Sequence, residues 1–370
     1  MPNLYIGLMS GTSVDSIDAV LVEFNEEGKS SSPHILTTLS HPIAPPLRED
    51  ILALCTPGPA ELDRAGQLDR QLGQVFADAA NTLLSHAGVK SSDVTAIGSH
   101  GQTVRHRPPG TVTSPFSLQL GDPNSIAALT GITTVADFRR RDIALGGHGA
   151  PLIPAFHHAV FATDHNRAVI NIGGMGNITE LAADGSVNGY DTGPGNVLLD
   201  YWIGLHQGAP YDRDGAWAAS GQVHSELFKR LMADPYFAAK PPKSTGREAF
   251  NASWLEQACS GLEVSPVDVQ ATLAEVTAAS IADAVRQFAD SGDVLVCGGG
   301  AKNKDLLSRL RRRLPDWSVS PTDNHGIDAD WVEAVGFAWL ARQTLLGLPG
   351  NCPSVTGAQK ESVLGAIYPA

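Results

Sequence analysis

Three small-residue turns in this chain carry the residue types that hold anions. "LYIGLMSGTSVDSIDAVLVEF" (4–24) and "AVINIGGMGNITEL" (168–181) each run apolar strand, small turn, apolar strand. Glycine leads both turns, and without a Cβ the backbone N–H groups can close on a phosphate. The third, "VLVCGGGAKNKDLLSRL" (294–310), differs: a strand passes through Gly298, Gly299 and Gly300 into a helix, leaving flat backbone and a helix N-terminus for a nucleotide. Each turn alone is ordinary, because glycine often supplies turn geometry and nothing more. The ordered set of three points to the two ends of ATP. Standard nucleotide motifs do not explain it. Gly28-Lys29-Ser30 has Glu23 where a P-loop has its first glycine, and Asn303 stands where a dinucleotide fingerprint needs Gly or Ala.

Such turns need strands to present them and helices to cover the strands. Leu62, Ala65, Leu68, Leu72, Val75, Phe76, Ala79 and Leu83 recur at three- and four-residue steps, predicting an amphipathic helix that ends at Gly88. "VTAIGSH", "FSLQLGD" and "GITTVADF" read as short strands, and "DPNSIAALTG" has the Asp cap, early Pro and closing Gly of a short helix. After the Arg-, Gly- and Pro-rich loop "RRRDIALGGHGAPLIP" a second α/β series begins with "RAVINI" and ends in the helix "WVEAVGFAWLARQTLLG". The boundary is expected in that loop, giving domains 1–138 and 139–347, with a tail from about 348 to 370 packing back on the first.

Composition limits the function. At 370 residues, 42% hydrophobic and 18% charged, the chain has ample material for two or three cores. Its 26 Lys and Arg against 39 Asp and Glu leave a net charge of -13, which gives no general attraction for nucleic acid or anionic lipid. Four dispersed cysteines, Cys55, Cys259, Cys297 and Cys352, form no CxxC pair and read as reduced thiols rather than a zinc site or disulfide framework. The start lacks a basic n-region and no stretch approaches the roughly 20 apolar residues of a membrane span, so a cytosolic protein is expected.

Hairpin, hairpin and strand–turn–helix, in that order, resemble the phosphate-1, phosphate-2 and adenosine elements of the superfamily containing sugar kinases, actin and the Hsp70 chaperones. That resemblance implies an α/β fold with two ribonuclease-H-like (actin/sugar-kinase-like) domains around a central cleft. At the level of words the match narrows. "GLMSGTSVDSIDAVL", "AIGSHGQTVRH", "VADFRRRDIALGGHGAPLIPAFH", "NIGGMGNIT", "DTGPGNVLLD", "DRDGAWAASG", "PKSTGREAFN" and "VCGGGAKN" are similar to the motif series of the anhydro-N-acetylmuramic acid kinases over nearly the whole chain. The family implies a bacterial, cytoplasmic, homodimeric enzyme of peptidoglycan recycling. With ATP, Mg2+ and water it converts 1,6-anhydro-N-acetylmuramic acid into N-acetylmuramic acid 6-phosphate. One departure is Ser16, where the family usually has Gly in "GTSxDGxD".

That chemistry asks for more than a kinase. In the anhydro sugar O6 is an internal ether with no proton to remove, so the ring bridge must open as the phosphoryl group transfers. Water attacks C1 opposite the bridge, a carboxylate takes its proton, and the departing O6 attacks the γ-phosphorus in line. The first half resembles an inverting glycosidase, with the phosphoryl group in place of the acid.

The resemblance then distributes roles. Asp191 of "DTGPGN" is the expected base, although an Asp before the apolar run "VLLDYWIG" can also serve as an N-cap. Arg141 of "RRRD" is expected beside the water or sugar. Ser10, Gly11, Thr12, Ser13, Val14, Asp15, Ser16, Ile17 and Asp18 form the phosphate hairpin, with Ser13 also toward substrate. Asp15 either holds Mg2+ through its waters or caps the turn. Asn171, Gly173 and Gly174 take the phosphates from the other hairpin; Gly298, Gly299, Gly300 and Asn303 meet adenosine. His100 and Gln102 suit sugar hydroxyls or the N-acetyl group, His100 being otherwise a core histidine. Glu333 is expected near the substrate, or is a first-turn Glu favoured by the helix dipole. The rival enzyme is a conventional hexose or N-acetylhexosamine kinase. A chaperone or filament protein of the superfamily would lack "SHGQT" and "DTGPGN".

Overall fold

The computed structural model describes residues 3–11, 13–24, 33–241 and 243–370. The phosphate role expected of Thr12, and the Gly28-Lys29-Ser30 run, lie outside these residues.

Strand β1 (Leu4–Met9) pairs antiparallel with β2 (Ser16–Phe24), which pairs antiparallel with β3 (Pro33–Pro42). β4 (Val94–Ser99) then joins the other side of β1 in parallel, and β7 (Thr134–Ala136) joins β4 in parallel. Between them β5 (Gln102–Arg107) and β6 (Phe116–Leu120) make a separate hairpin. Later in the chain β8 (Arg167–Ile172), β9 (Met175–Leu181) and β10 (Val187–Pro194) repeat the antiparallel meander. β11 (Gly292–Cys297) and β12 (Trp317–Pro321) extend it in parallel from β8, and β13 (Ala366–Tyr368) returns to pair with β7. Counting strands within each sheet, both have the spatial order 3-2-1-4-5, with β13 added to the first. This is the ribonuclease-H-like α/β plan, used twice.

The chain divides into two compact units, Met1–Val160 with Trp331–Ala370, and Phe161–Asp330. Division thus falls after residue 160 and again after 330, not after 138 and 347 as expected from the sequence. Asp142 explains the first difference. Its buried carboxylate accepts hydrogen bonds from Gly149 N (2.8 Å), Asn351 Nδ2 (2.9 Å) and Thr356 Oγ1 (2.8 Å), tying the loop after residue 138 to the C-terminal tail. The helix Val332–Leu346 explains the second, because it lies on β1 and β4 with its backbone almost in contact with theirs. A Cβ at Gly7 would stand 1.8 Å from Ala334 O, and one at Gly98 2.0 Å from Phe337 O. No larger residue permits that approach.

Helix Glu61–Ala87 covers the first sheet and stops at Gly88, whose φ of 65° suits glycine at a C-cap. Helix Pro266–Phe288 is the counterpart in the second unit. Ser265 caps it by accepting from Asp268 N, Pro266 starts it, and most of its length is buried. No helix among the described residues is long and apolar enough to cross a membrane.

Candidate active site

In the second unit, Asp191 lies on β10 opposite Asn177 of β9, where the pairing register shifts between Asp191 and Gly193. Such a bulge re-aims the side chains around it. Asp191 does not cap the following helix: that helix starts at Val197, with Asn196 at its N-cap. The carboxylate is free of that structural duty. Burial pushes its pKa up to about 6; the Thr245 N–H, donating to Oδ2 at 3.0 Å, opposes the rise, and the Glu248 carboxylate adds to it. A carboxylate near neutrality is matched to taking a proton from water.

The glycine turn of the second hairpin is folded directly onto the segment that follows Asp191. Asn196 N donates to Gly173 O (2.8 Å), while Gly195 N and Val197 N donate to Gly174 O (2.9 and 3.1 Å). Thr277, from helix Pro266–Phe288, holds the same segment by donating to the carbonyls of Pro194 (3.1 Å) and Gly195 (3.0 Å). The segment that follows Asp191 is therefore bonded both to the Gly173–Gly174 turn and to helix Pro266–Phe288. The third glycine cluster joins them: a Cβ at Gly299 would find Asn196 Nδ2 at 3.9 Å, and that nitrogen donates to Ile172 O at 3.0 Å.

The three glycines of that cluster are not equivalent. At Gly298 a Cβ would strike Asn171 Oδ1 at 2.3 Å, and at Gly300 it would strike Ile172 at 2.4 Å, so these two serve packing. Gly299 alone keeps an open face. Asn303, expected at adenosine, caps helix Lys304–Arg313 by accepting from Leu306 N at 3.0 Å, and it is buried. Its side chain is engaged in the fold.

In the first unit the opening hairpin turns through Val14, whose φ of 56° is the left-handed region a β-branched residue rarely enters. Val14 and Ile17 are buried in the core, which leaves only their main chain to a ligand. Gly11 faces open space, since a Cβ there would meet no atom within 4 Å. Ser13 O accepts from Arg48 Nε at 3.0 Å, and Asp18 Oδ1 accepts from Ser16 Oγ (3.4 Å) and Ser40 Oγ (3.1 Å). Asp15 pairs through Oδ1 with Arg48 Nε at 2.9 Å and keeps 62% of its side chain exposed. Among the described residues no group of three or more His, Cys, Asp or Glu is placed to hold a metal ion. One largely exposed carboxylate on a turn of hydroxyls fits a magnesium ion held through water and phosphate, which needs few protein ligands.

Ser10 links this hairpin to the residues expected at the sugar. Its hydroxyl donates to Gln102 Oε1 at 2.7 Å, both side chains being buried. His100, next along, packs on Phe337 with ring centres 4.7 Å apart. Burial and then the Arg139 guanidinium hold its pKa well below the ordinary value, so the ring is neutral. Arg139 Nη2 lies 2.9 Å from His100 Nε2 and can only donate, which makes Nε2 the acceptor and leaves the proton on Nδ1. Burial lowers Arg139 itself to about 10, with Glu333 and Asp142 opposing, so it remains a cation. Its Nη1 donates to Gly149 O at 2.8 Å and its buried Nε has no partner among the described residues.

Of the three arginines in the run, Arg139 is the one whose guanidinium reaches His100. Arg141, chosen from the run of three, is exposed on helix Phe138–Ala144, and Arg140 pairs with Asp137 at 3.4 Å. Helical spacing held the signal: Arg139 and Asp142 are three apart and share a face, whereas Arg141 faces away. The sequence reading left out Thr245 and Glu248, which "PKSTGREAFN" carries but whose reach to Asp191 no local pattern reveals.

Known proteins match the chain over nearly its full length. The profile of the family described as "Anhydro-N-acetylmuramic acid kinase" matches residues 3–370. A protein of that name from Saccharophagus degradans is 52% identical, covering 99% of this chain and 99% of its own length. Another from Xanthomonas campestris pv. campestris is 53% identical, covering 99% and 97%. Among solved structures, a ROK hexokinase from Thermus thermophilus is similar at 16% identity and a TM-score of 0.37, covering 92% of this chain and 99% of that one.

Proposed function

The chain belongs to the anhydro-N-acetylmuramic acid kinase family, and from that premise we propose that it opens 1,6-anhydro-N-acetylmuramic acid with water while passing the γ-phosphoryl group of ATP to O6. The products are N-acetylmuramic acid 6-phosphate and ADP. A conventional hexose kinase is not favoured by the family match. The observation that carries the reading is the Asp191 carboxylate, raised to about 6, free of capping duty and followed by the segment bonded to the Gly173–Gly174 turn.

Asp191 takes the proton of the attacking water; the hydroxide equivalent bonds to C1, the C1–O6 bond breaks, and its electron pair on O6 forms the bond to phosphorus as ADP leaves. The open backbone at Gly11, Gly173 and Gly299 receives the nucleotide. Arg139, rather than Arg141, is assigned to the sugar with His100, Gln102 and Glu333, because its guanidinium is the one enclosed with them. A neutral His100 with its acceptor occupied by Arg139 binds and orients rather than transferring protons. Magnesium, held by Asp15 through water, would neutralise phosphate charge. Magnesium, a cytoplasmic location and a homodimer are supported by the family resemblance.

In ¹⁸O-labelled water the enzyme is expected to place label at C1 and none in the phosphoryl group, read before mutarotation scrambles the anomers. Asp191→Asn is expected to bind both ligands but lose about 10²-fold or more in turnover. Label in the transferred phosphate, or near-normal turnover by the variant, overturns the mechanism.

A further inference from the structure

We propose that residues 236–241 and 243–248 form a strap that holds Asp191 from several sides, and that Thr245 and Glu248 within it are positioning residues for the proton transfer. The inference rests on the reading of Asp191 as the base. Three hydrogen bonds fix the strap to it: Tyr236 OH donates to Asp191 O (2.7 Å), Asp191 N donates to Lys243 O (3.3 Å), and Thr245 N donates to Oδ2 (3.0 Å). No other donor reaches the carboxylate among the described residues. With Oδ2 engaged, Oδ1 is left to receive the proton.

The strap is itself braced, so its aim is set before any ligand arrives. Lys243 Nζ donates to Tyr236 O at 3.1 Å and stands 4.7 Å from the centre of the Tyr236 ring. Phe250 packs edge-on against Tyr236 with ring centres 5.6 Å apart. Asp234 accepts from Tyr236 N (2.9 Å) and Trp254 Nε1 (2.8 Å), tying the start of the strap to the next helix.

The charge environment follows from the same geometry. A Cβ at Gly246 would stand 2.3 Å from Glu248 Oε2, so that carboxylate lies over the residue next to Thr245. Lys243 and Tyr236 reach Asp191 through the bonds above, and Tyr190 precedes it on β10 with Glu180 beside that phenol. Both phenols are held above their ordinary range by burial and stay neutral, and Glu180 accepts from Asn188 at 3.1 Å. Lys243 directs its ammonium to carbonyls and rings. Thr245 therefore favours the ionised carboxylate by donating to it, while Glu248 disfavours it by repulsion.

Opposite signs give a test that a merely structural role would not pass. The acid limb of kcat/KM against pH is measured for the wild type, Glu248→Gln and Thr245→Pro, the last removing the N–H donor together with the threonine side chain, and for Thr245→Ala, which removes the side chain and keeps the N–H. Loss of the Glu248 charge is expected to move the limb to lower pH by roughly half a unit, the scale of one partly screened charge. Loss of the Thr245 donor is expected to move it to higher pH by a similar amount. Shifts in the same direction, or an unmoved limb in Glu248→Gln, overturn the proposal; if Thr245→Pro does not fold, the Glu248 variant decides alone. Asp191→Asn separates the two failures. Near-normal turnover there would defeat the base itself, whereas an inactive Asp191→Asn beside an unmoved limb would defeat only the strap.

Discussion

Asp191→Asn should stabilise the second unit at pH 7.5 and do so far less at pH 4. The carboxyl rises from its ordinary 3.8 to about 6 in the fold, a displacement of about 2 units caused first by burial. Ionisation is therefore harder in the folded state than in the unfolded one. Between these two values the unfolded chain has already released the proton that the fold retains, so stability falls as pH rises through that window. Below 3.8 the penalty is absent, and above 6 it is fully present. At about 1.4 kcal/mol per unit the ceiling is about 3 kcal/mol, and solvent still reaching the half-buried residue reduces this to about 1–2 kcal/mol. Asparagine keeps the shape and an acceptor for the Thr245 N–H but cannot ionise. Hydrogen exchange of the β9 and β10 amides, followed from pH 4 to 7.5 with correction for intrinsic rates, reads the opening free energy of this unit alone. The expected result is a variant-minus-wild-type difference that grows across pH 4–6 and then levels. A difference independent of pH would mean that Asp191 is not raised, and the case for a base poised near neutrality would go with it.

Replacing Gly11, Gly173 or Gly299 by Val should weaken ATP binding much more than sugar binding while leaving melting temperature nearly unchanged, since a Cβ meets nothing within 4 Å at Gly11 and only atoms at 3.7 and 3.9 Å at the other two. Calorimetry with each ligand checks this, and normal ATP affinity in all three variants would defeat the assignment. Gly7→Ala should behave in the reverse way, with melting lowered by several degrees or folding lost, because its Cβ would stand 1.8 Å from Ala334 O and helix Val332–Leu346 must shift. Asp142→Ala leaves Gly149 N buried without an acceptor and Asn351 and Thr356 with only their longer bonds to Lys360 O (3.2 Å) and Cys352 O (3.4 Å), and should cost about 3 kcal/mol. Thermal melts of both variants read the effect, and wild-type melting in either would contradict the packing described.

Whatever depends on neighbours in the chain was already legible in the sequence. Apolar periodicity placed helix Glu61–Ala87 and Gly88 its end, while Asp122, Pro123 and Gly131 bound the short helix Pro123–Thr130. The three glycine turns and their order were equally visible, since a turn is a property of four or five consecutive residues. Contacts between distant residues were not. That Gly299 is open while Gly298 and Gly300 are filled by Asn171 and Ile172 depends on β8 lying beside β11. Arg139 faces His100 because Asp142, on the same helical face, is anchored by residues more than 200 positions away. The last helix belongs to the first unit because Gly7 and Gly98, on two parallel strands, leave room for its backbone. Asp191 owes its raised proton affinity to burial and to Thr245 and Glu248, more than 50 residues downstream. Local sequence fixes which conformations a segment prefers, but desolvation and charge proximity are properties of assembled space, and folding alone brings those groups together.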